Sequence, residues 1–224
     1  LTVLQRQFVS DVSHELRTPL TTIHIASDMI YESRDEFDES TARSAELLNS
    51  QVERFELLLG DLLEISRYDA GAANLVTKPT DIGEIVTGVL DTLSVVASQA
   101  GTELLLHAPS SPVMAEVDRV RITRIVRNLV VNAIEHGEGR PVVVTVDSNQ
   151  HAVAAGVRDF GLGMDPEDAE RVFDRFWRAD PSRQRTIGGT GLGLSIALGD
   201  ATLHGGTLAV WSELGVGSNF VLTI

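Results

Sequence analysis

Between Thr41 and Tyr68 the apolar residues Ala45, Leu48, Val52, Phe55, Leu59 and Leu62 follow one another at alternating steps of three and four. That spacing is the seam of a coiled coil, and such a seam needs a partner to cover it. The chain ahead of it, Leu1 to about Tyr31, reads as one long helix punctuated by Pro19. The charged RDEFDES between the two is turn-prone and offers Asp38 or Ser40 as a cap for the second helix. Two helices alone make a thin core, so the pattern predicts a hairpin that dimerises into an antiparallel four-helix bundle.

Gly71 offers a helix stop, and Ala-Ala-Asn then leads into Lys78-Pro79, after which the periodicity changes. We divide the chain there into residues 1–74 and 75–224. In the second part short strands alternate with helices. Strands are predicted over 103–107, 142–146, 152–158, 207–211 and 219–223; helices are predicted from Asp81, with Glu84 in a capping-box position, to about Ala100, and from Asp118 to about His136. The fold class is therefore α+β, a helical hairpin followed by a two-layer α/β sandwich with its helices on one face of a mixed sheet.

The hydrophobic content of 43% suffices for a real core, and a net charge of −14 argues against nucleic acid and anionic membrane surfaces as partners. With no cysteine there is no disulfide, thiolate metal site or cysteine nucleophile. No apolar run reaches the roughly 18 residues of a membrane span, and the abrupt helical start suggests a piece of something longer.

Four features carry chemistry. In FVSDVSHELRTPLTT, a helical wheel sets His14 roughly 200° from Val12 and Leu16 and about 180° from Ile23, so its imidazole faces water, with Glu15 beside it and Thr18 one turn on. Pro19 removes a donor and should bend or loosen the helix there. Asn128 and Asn132 lie one turn apart and can offer neutral oxygens to Mg²⁺. Asp159-Phe160-Gly161-Leu162-Gly163 ends a strand; its glycines permit a sharp turn and close approach of a flat ligand, and its carboxylate can accept from an exocyclic amine. Gly188-Gly189-Thr190-Gly191-Leu192-Gly193 opens a helix and leaves bare N–H groups at its positive end, which suits phosphate. Arginines crowd two segments, Arg119, Arg121, Arg124 and Arg127, then Arg171, Arg175, Arg178, Arg183 and Arg185, as an anionic ligand between them would require, although exposed arginines need none.

His-Glu-Leu-Arg-Thr-Pro at 14–19 matches the phosphoacceptor box of sensor histidine kinases, and LLGDLLEISRYDAG resembles the end of their dimerisation and histidine-phosphotransfer domain. Asn-x-x-x-Asn, Asp-x-Gly-x-Gly, Phe173-x-x-Phe176 and Gly-x-Gly-x-Gly follow in the order of the N, first glycine, F and second glycine boxes of that family's catalytic domain. The resemblance extends to His204-Gly205-Gly206 and Gly215 to Phe220, and the wording FVSDVSHELRTPLTTI is similar to the actinobacterial MtrB-type sensor kinases.

What the resemblance implies is a Bergerat ATP-binding fold, shared with gyrase and Hsp90, that transfers the γ-phosphoryl group of ATP to His14. Asp159 would hold adenine, with Gly161 and Gly163 in its turn; Asn128 and Asn132 would hold Mg²⁺; Gly189, Thr190, Gly191, Leu192 and Gly193 would hold the phosphates. The segment from about Arg178 to Gly188 would be a mobile lid, and Phe173, Phe176 and Trp177 either pack its hinge or belong to the core. The position three after Asn132 is often basic in the family but is Glu135 in this chain, so Arg183 or Arg185 would supply the phosphate contact. Glu15 and Thr18 fit the Glu-x-x-Thr that accompanies phosphatase activity toward a response regulator. That partner's receiver domain would dock near Thr21, Ile25 and Ala26, and the whole would be the cytoplasmic portion of a homodimeric plasma-membrane sensor whose membrane part precedes Leu1. A non-catalytic dimeric ATP-binding module and an ATPase of the gyrase or chaperone kind are the alternatives. His24, His107, His136, His151 and His204 show no metal-ligand spacing and read as ordinary surface or core residues.

Overall fold

The computed structural model describes the backbone of residues 3–177 and 190–224, and the side chains of Leu16, 18–177 and 190–224. The chain divides into two compact units, residues 1–73 and 74–224.

In the first unit, helix α1 (Val3–Glu32) runs without a break through Pro19. A 3-10 turn at Arg34–Glu36 leads to α2 (Glu39–Asp69), whose N-cap Asp38 accepts from the N–H groups of Ser40 and Thr41. The Thr41 hydroxyl also donates to that carboxylate, which lowers the Asp38 pKa. At the other end Gly71 turns at φ +57° and donates to Tyr68 O, the stop its position predicts.

The buried strip between the helices is short and mixed: Leu20, Ala45, Val52 and Ile65 with Ser27 and Asn49, whose side chains bond at 2.9 Å. Beside that layer His24 Nδ1 meets Glu56 Oε2 at 2.6 Å and Nε2 meets Asp28 Oδ2 at 3.2 Å. The bond to Glu56 raises the His24 pKa; burial opposes it, and the charges of Asp28, Glu56 and Glu53 add to the rise. Of the seam residues, Ala45 and Val52 pack inward, whereas Leu48, Phe55 and Leu62 stay 45, 56 and 50% exposed. One hairpin therefore covers only half of its own seam.

In the second unit, β1 (Lys78–Asp81) and β3 (Met114–Val117) form a two-stranded antiparallel ribbon. Between them come α3 (Ile82–Gln99) and β2 (Leu104–His107). Then follow α4 (Arg119–His136), β4 (Val142–Ser148), β5 (Val153–Arg158), the short α5 (Pro166–Arg171), α6 (Gly193–Leu203), β6 (Thr207–Glu213) and β7 (Gly217–Thr223). The main sheet has the order β2-β4-β5-β7-β6, with β2 parallel to β4 and every other pair antiparallel.

Alternation fixes its faces. Val142, Val144, Val146, Val153, Ala155, Val157, Phe220 and Leu222 are buried, and they meet Ile85, Val86, Val89 and Leu93 of α3 and Ile122, Ile125, Val126, Leu129 and Val130 of α4 in one core. Each of the larger of these side chains contributes about 1.5–3 kcal/mol on burial. The intervening sheet residues, such as Thr145, Ala209 and Trp211, face out. The result is the two-layer sandwich expected. Asp81 caps α3 through Gly83 N and also accepts from Val113 N, so the cap ties β1 to the chain before β3; Glu84 instead lies 3.7 Å from Arg119.

Candidate functional site

Helix α4 begins on Asp118, whose carboxylate accepts from Val120 N and Arg121 N with one oxygen and from Val76 N with the other. Burial alone would raise this carboxyl's pKa, but the three backbone donors and the Arg121 charge together lower it. With its apolar residues turned to the core, α4 carries Asn128 and Asn132 half-buried on another face. Asn128 Nδ2 donates to Gly193 O at 2.9 Å. A carbonyl can only accept, so the amide nitrogen must point at Gly193 and Oδ1 is left as a neutral acceptor. Asn132 is one turn further along α4, so the chemistry of this donor set fits Mg²⁺.

Gly193 opens α6. Its N-cap is Leu192, which supplies no side-chain bond, and Ser195 Oγ turns back to Leu192 O, so among the described residues no side chain is seen to cap the N–H groups of the first turn. Thr190 Oγ1 accepts from Leu192 N, and Gly191 turns at φ +79°. Phe176 N donates to Gly191 O at 3.1 Å, which brings the two ends of the segment between them together. Phe176 is 59% exposed and sits at φ +60°, a costly conformation for a bulky side chain. Phe173 packs on the core, edge-on to Phe220 with ring centres 6.1 Å apart, and Trp177 also packs partly against the core. Of the two readings of these aromatics, Phe173 and Trp177 take the core and Phe176 does not.

Asp159 follows β5 and is 1% exposed. Its Oδ1 accepts from Gly161 N at 3.0 Å and its Oδ2 from Ser218 N at 3.2 Å, leaving further lone pairs on a carboxylate held from two sides. The glycine turn is laced to its surroundings: Leu162 N donates to His136 O, Met164 N to Ser212 Oγ and Gly215 N to Leu162 O. A Cβ on Gly161 would stand 1.9 Å from His136 O, and one on Gly163 1.9 Å from Glu213 O. These glycines are thus required by the protein's own backbone, a tighter constraint than the approach of a flat ligand. Ser212 and Ser218 were not legible as site residues, because a lone serine in a strand carries no pattern.

The arginine cluster reads differently in the structure. Arg121 Nη1 bonds Asp200 Oδ1 at 2.8 Å, and Arg124 bonds the same carboxylate through Nε at 2.7 Å and Nη2 at 2.8 Å, with Asp200 fully buried. Arg119 lies 3.7 Å from Glu84 and Arg171 3.5 Å from Asp174. An anionic ligand is therefore not what gathers Arg121 and Arg124. His204, read as an ordinary histidine, bridges two elements: Asp118 N donates to its Nε2 at 3.0 Å, so the proton sits on Nδ1, 2.7 Å from Asp200 O.

The side chains of His14 and Glu15 lie outside the described residues, as do Arg178, Arg183, Arg185 and Gly189 and with them the expected lid; the backbone of 14 and 15 belongs to α1. Thr18 is exposed and its carbonyl accepts from Thr22 Oγ1. Thr21, Ile25 and Ala26 are exposed on α1, Ile25 by 56%. Among the described residues no cluster of three or more His, Cys, Asp or Glu could hold a metal, and no helix is long and apolar enough to cross a membrane.

The His Kinase A (phospho-acceptor) domain model matches residues 4–71, and the model of the Histidine kinase-, DNA gyrase B-, and HSP90-like ATPase matches residues 117–224. The chain belongs to the sensor histidine kinases. The second unit of this histidine-kinase chain carries the family's ATP-binding domain, and the first its phospho-acceptor domain. The MtrB sensor histidine kinase of Mycolicibacterium paratuberculosis is 52% identical over 221 residues, 99% of this chain and 39% of that protein. MtrB of Mycobacterium leprae is 51% identical over the same shares. The chain thus spans 39% of the length of these relatives. Among solved structures, full-length ShkA in complex with AMPPNP is similar at a TM-score of 0.83 and 27% identity, covering 97% of this chain and 45% of that one.

Proposed function

We propose that the chain is the catalytic portion of a two-component sensor kinase, in which residues 75–224 bind Mg-ATP and residues 1–74 carry the phosphate acceptor, His14. A neutral imidazole nitrogen of His14 attacks the γ-phosphorus, the bond to the ADP oxygen breaks, and the proton left on the other ring nitrogen is shared with Glu15. At pH 7 a histidine of ordinary pKa is mostly neutral and ready to attack. The phosphoryl group then passes to an aspartate of a response-regulator receiver domain docked near Thr21, Ile25 and Ala26, and His14 is regenerated.

In the nucleotide-binding unit Asp159 accepts from the adenine amine, and the first turn of α6 with Gly189, Thr190, Gly191, Leu192 and Gly193 receives the phosphates. Arg183 or Arg185 takes the phosphate contact that Glu135 cannot make. Asn128 and Asn132 hold Mg²⁺, which when bound neutralises phosphate charge. Glu15 and Thr18 also serve the reverse task, with Thr18 placing the water that dephosphorylates the regulator. Two hairpins pair as a homodimer, which would cover Leu48, Phe55 and Leu62. In the longer protein these units stand on the cytoplasmic side of a membrane sensor.

What carries this reading is the division of labour: the box with His14 lies in the stretch matched by the phospho-acceptor model, while Asn128, Asp159 and Gly193 lie in the stretch matched by the ATPase model. The test is incubation of the chain and of His14→Gln with γ-labelled Mg-ATP, followed by acid and alkali. Acid-labile, alkali-stable label on the parent alone is the expected result. ATP binding with no label on either favours the non-catalytic module, and free phosphate without phosphoprotein favours a gyrase-like ATPase.

A further inference from the structure

The facing sides of α4 and α6 carry two contacts spaced alike. On α4, Arg121, Arg124 and Asn128 are separated by three and four residues and share one face; on α6, Gly193 and Asp200 are seven apart and share one face. The helices run antiparallel along this line, with Asn128 on Gly193 at one end and Arg121 and Arg124 on Asp200 at the other. Seven residues of helix put the two contacts about 10 Å apart.

The first contact is a single neutral hydrogen bond from a half-buried amide. The second consists of three charge-assisted bonds of 2.7–2.8 Å to a carboxylate with no exposure. Such bonds are shorter, stronger and more directional than neutral ones, and two guanidinium groups approaching one carboxylate leave little play. His204 adds a third tie, from the C-cap of α6 to the backbone of Asp118. An apolar contact between two helices tolerates sliding; this one does not. A slip of α6 by one residue would move Gly193 about 1.5 Å along the axis and break the Asn128 bond.

We propose that Asp200 is a positioning residue for phosphoryl transfer: held by Arg121 and Arg124, it sets the axial register of α6 on α4 and so holds the Asn128 amide oxygen and the first turn of α6 in mutual alignment. The proposal rests on the reading of Asn128 as a metal-binding residue given above. The Asp200 carboxylate is buried against Arg121 and Arg124, seven residues from Gly193, so its role runs through Gly193 and Asn128.

The test measures ATP affinity of the 224-residue chain in EDTA and in excess MgCl₂, by displacement of a fluorescent ATP analogue, for the parent, Asp200→Asn, Asn128→Ala and the double variant. Melting curves are run beside them, and all titrations are made well below the lowest melting temperature. Asp200→Asn is expected to leave affinity in EDTA within about twofold and to shrink the gain from Mg²⁺ by about tenfold, the range typical of residues that orient a metal's ligands. Asn128→Ala shrinks it likewise, and the double variant goes no further than Asn128→Ala alone. A stability loss with an undiminished gain from Mg²⁺, or additive losses in the double variant, overturns the proposal and leaves Asp200 a structural ion pair. If Asp200→Asn does not fold, the cycle is run with Arg124→Lys, which keeps the charge but not the planar fork; a full gain from Mg²⁺ in that variant overturns the proposal as well. A parent chain that binds ATP equally with and without Mg²⁺ overturns the metal-binding reading itself, and the positioning role with it.

Discussion

Replacing Gly161 by alanine would separate two explanations for the glycines after β5. If they exist to let a ligand come close, the variant should bind ATP poorly and be as stable as its parent. The structure predicts otherwise. The new Cβ would lie 1.9 Å from His136 O and 2.7 Å from Gly137 Cα, all of it backbone that cannot swing aside like a side chain. Relief requires moving the turn off the end of α4, with an overpacking cost of about 1–3 kcal/mol. It also strains the bonds from Leu162 N to His136 O and from Gly161 N to Asp159, for which about 1 kcal/mol apiece is a moderate figure. A total of about 3–5 kcal/mol, divided by a urea dependence of about 2 kcal/mol/M, lowers the unfolding midpoint by roughly 1.5–2.5 M. Both tryptophans, Trp177 and Trp211, lie in residues 74–224, so their fluorescence reports this unit alone. The control is Gly215→Ala, at φ +78° with nothing within 4 Å of the new Cβ. It carries backbone strain only, about 1 kcal/mol and about 0.5 M. A midpoint for Gly161→Ala no lower than that of the control would refute the reasoning.

His24 is held above its usual pKa by Glu56 first, with Asp28 and Glu53 adding to it, so its contribution to the hairpin is fully present below about pH 6.5 and fades as pH rises through the raised folded value. Circular-dichroism melting should show α-helical stability falling over that window, and Glu56→Gln should flatten the profile; an unchanged profile would count against the pairing. Gly88 lies exposed within α3 with nothing within 4 Å of an added Cβ, so Gly88→Ala should raise stability by about 0.5–1 kcal/mol, read as a higher urea midpoint. Thr18→Ala should spare autophosphorylation and slow dephosphorylation of the partner regulator; loss of the kinase step instead would make Thr18 structural.

Period and punctuation made most of the fold legible. Each of the five strands of the main sheet falls on a predicted segment, since alternating valines between turn residues have few other solutions. The caps Asp38, Asp81 and Asp118 were readable because capping is a local bond. The ribbon of β1 and β3 escaped notice because its strands are four residues long, one contains Pro79, and they pair only after α3 and β2 have intervened. Helix α5, one and a half turns on Pro166, shows no period at all. At the candidate site the same division holds. Asn128 and the glycines stand out by type and spacing, but the Asp200 carboxylate meets Arg121 and Arg124 across 79 and 76 residues, and no local pattern announces such a pair. The arginines were visible and their partner was not, so they looked like a ligand's counterions.

Strand β7 is made last of the strands and lies between β5 and β6. On the ribosome β6 therefore has no place in the sheet until residues 217–223 arrive, and β5 presents an open edge lined by Val153, Ala155 and Val157 throughout that wait. The hairpin of α1 and α2 has no such wait, since its partners are neighbours in the chain. A growing polypeptide of this kind carries a closable hairpin ahead of an unclosable sheet, and a premature stop that removes only the final strand takes Phe220 and Leu222 out of the core and leaves two unmatched strand edges for chaperones or proteases to find.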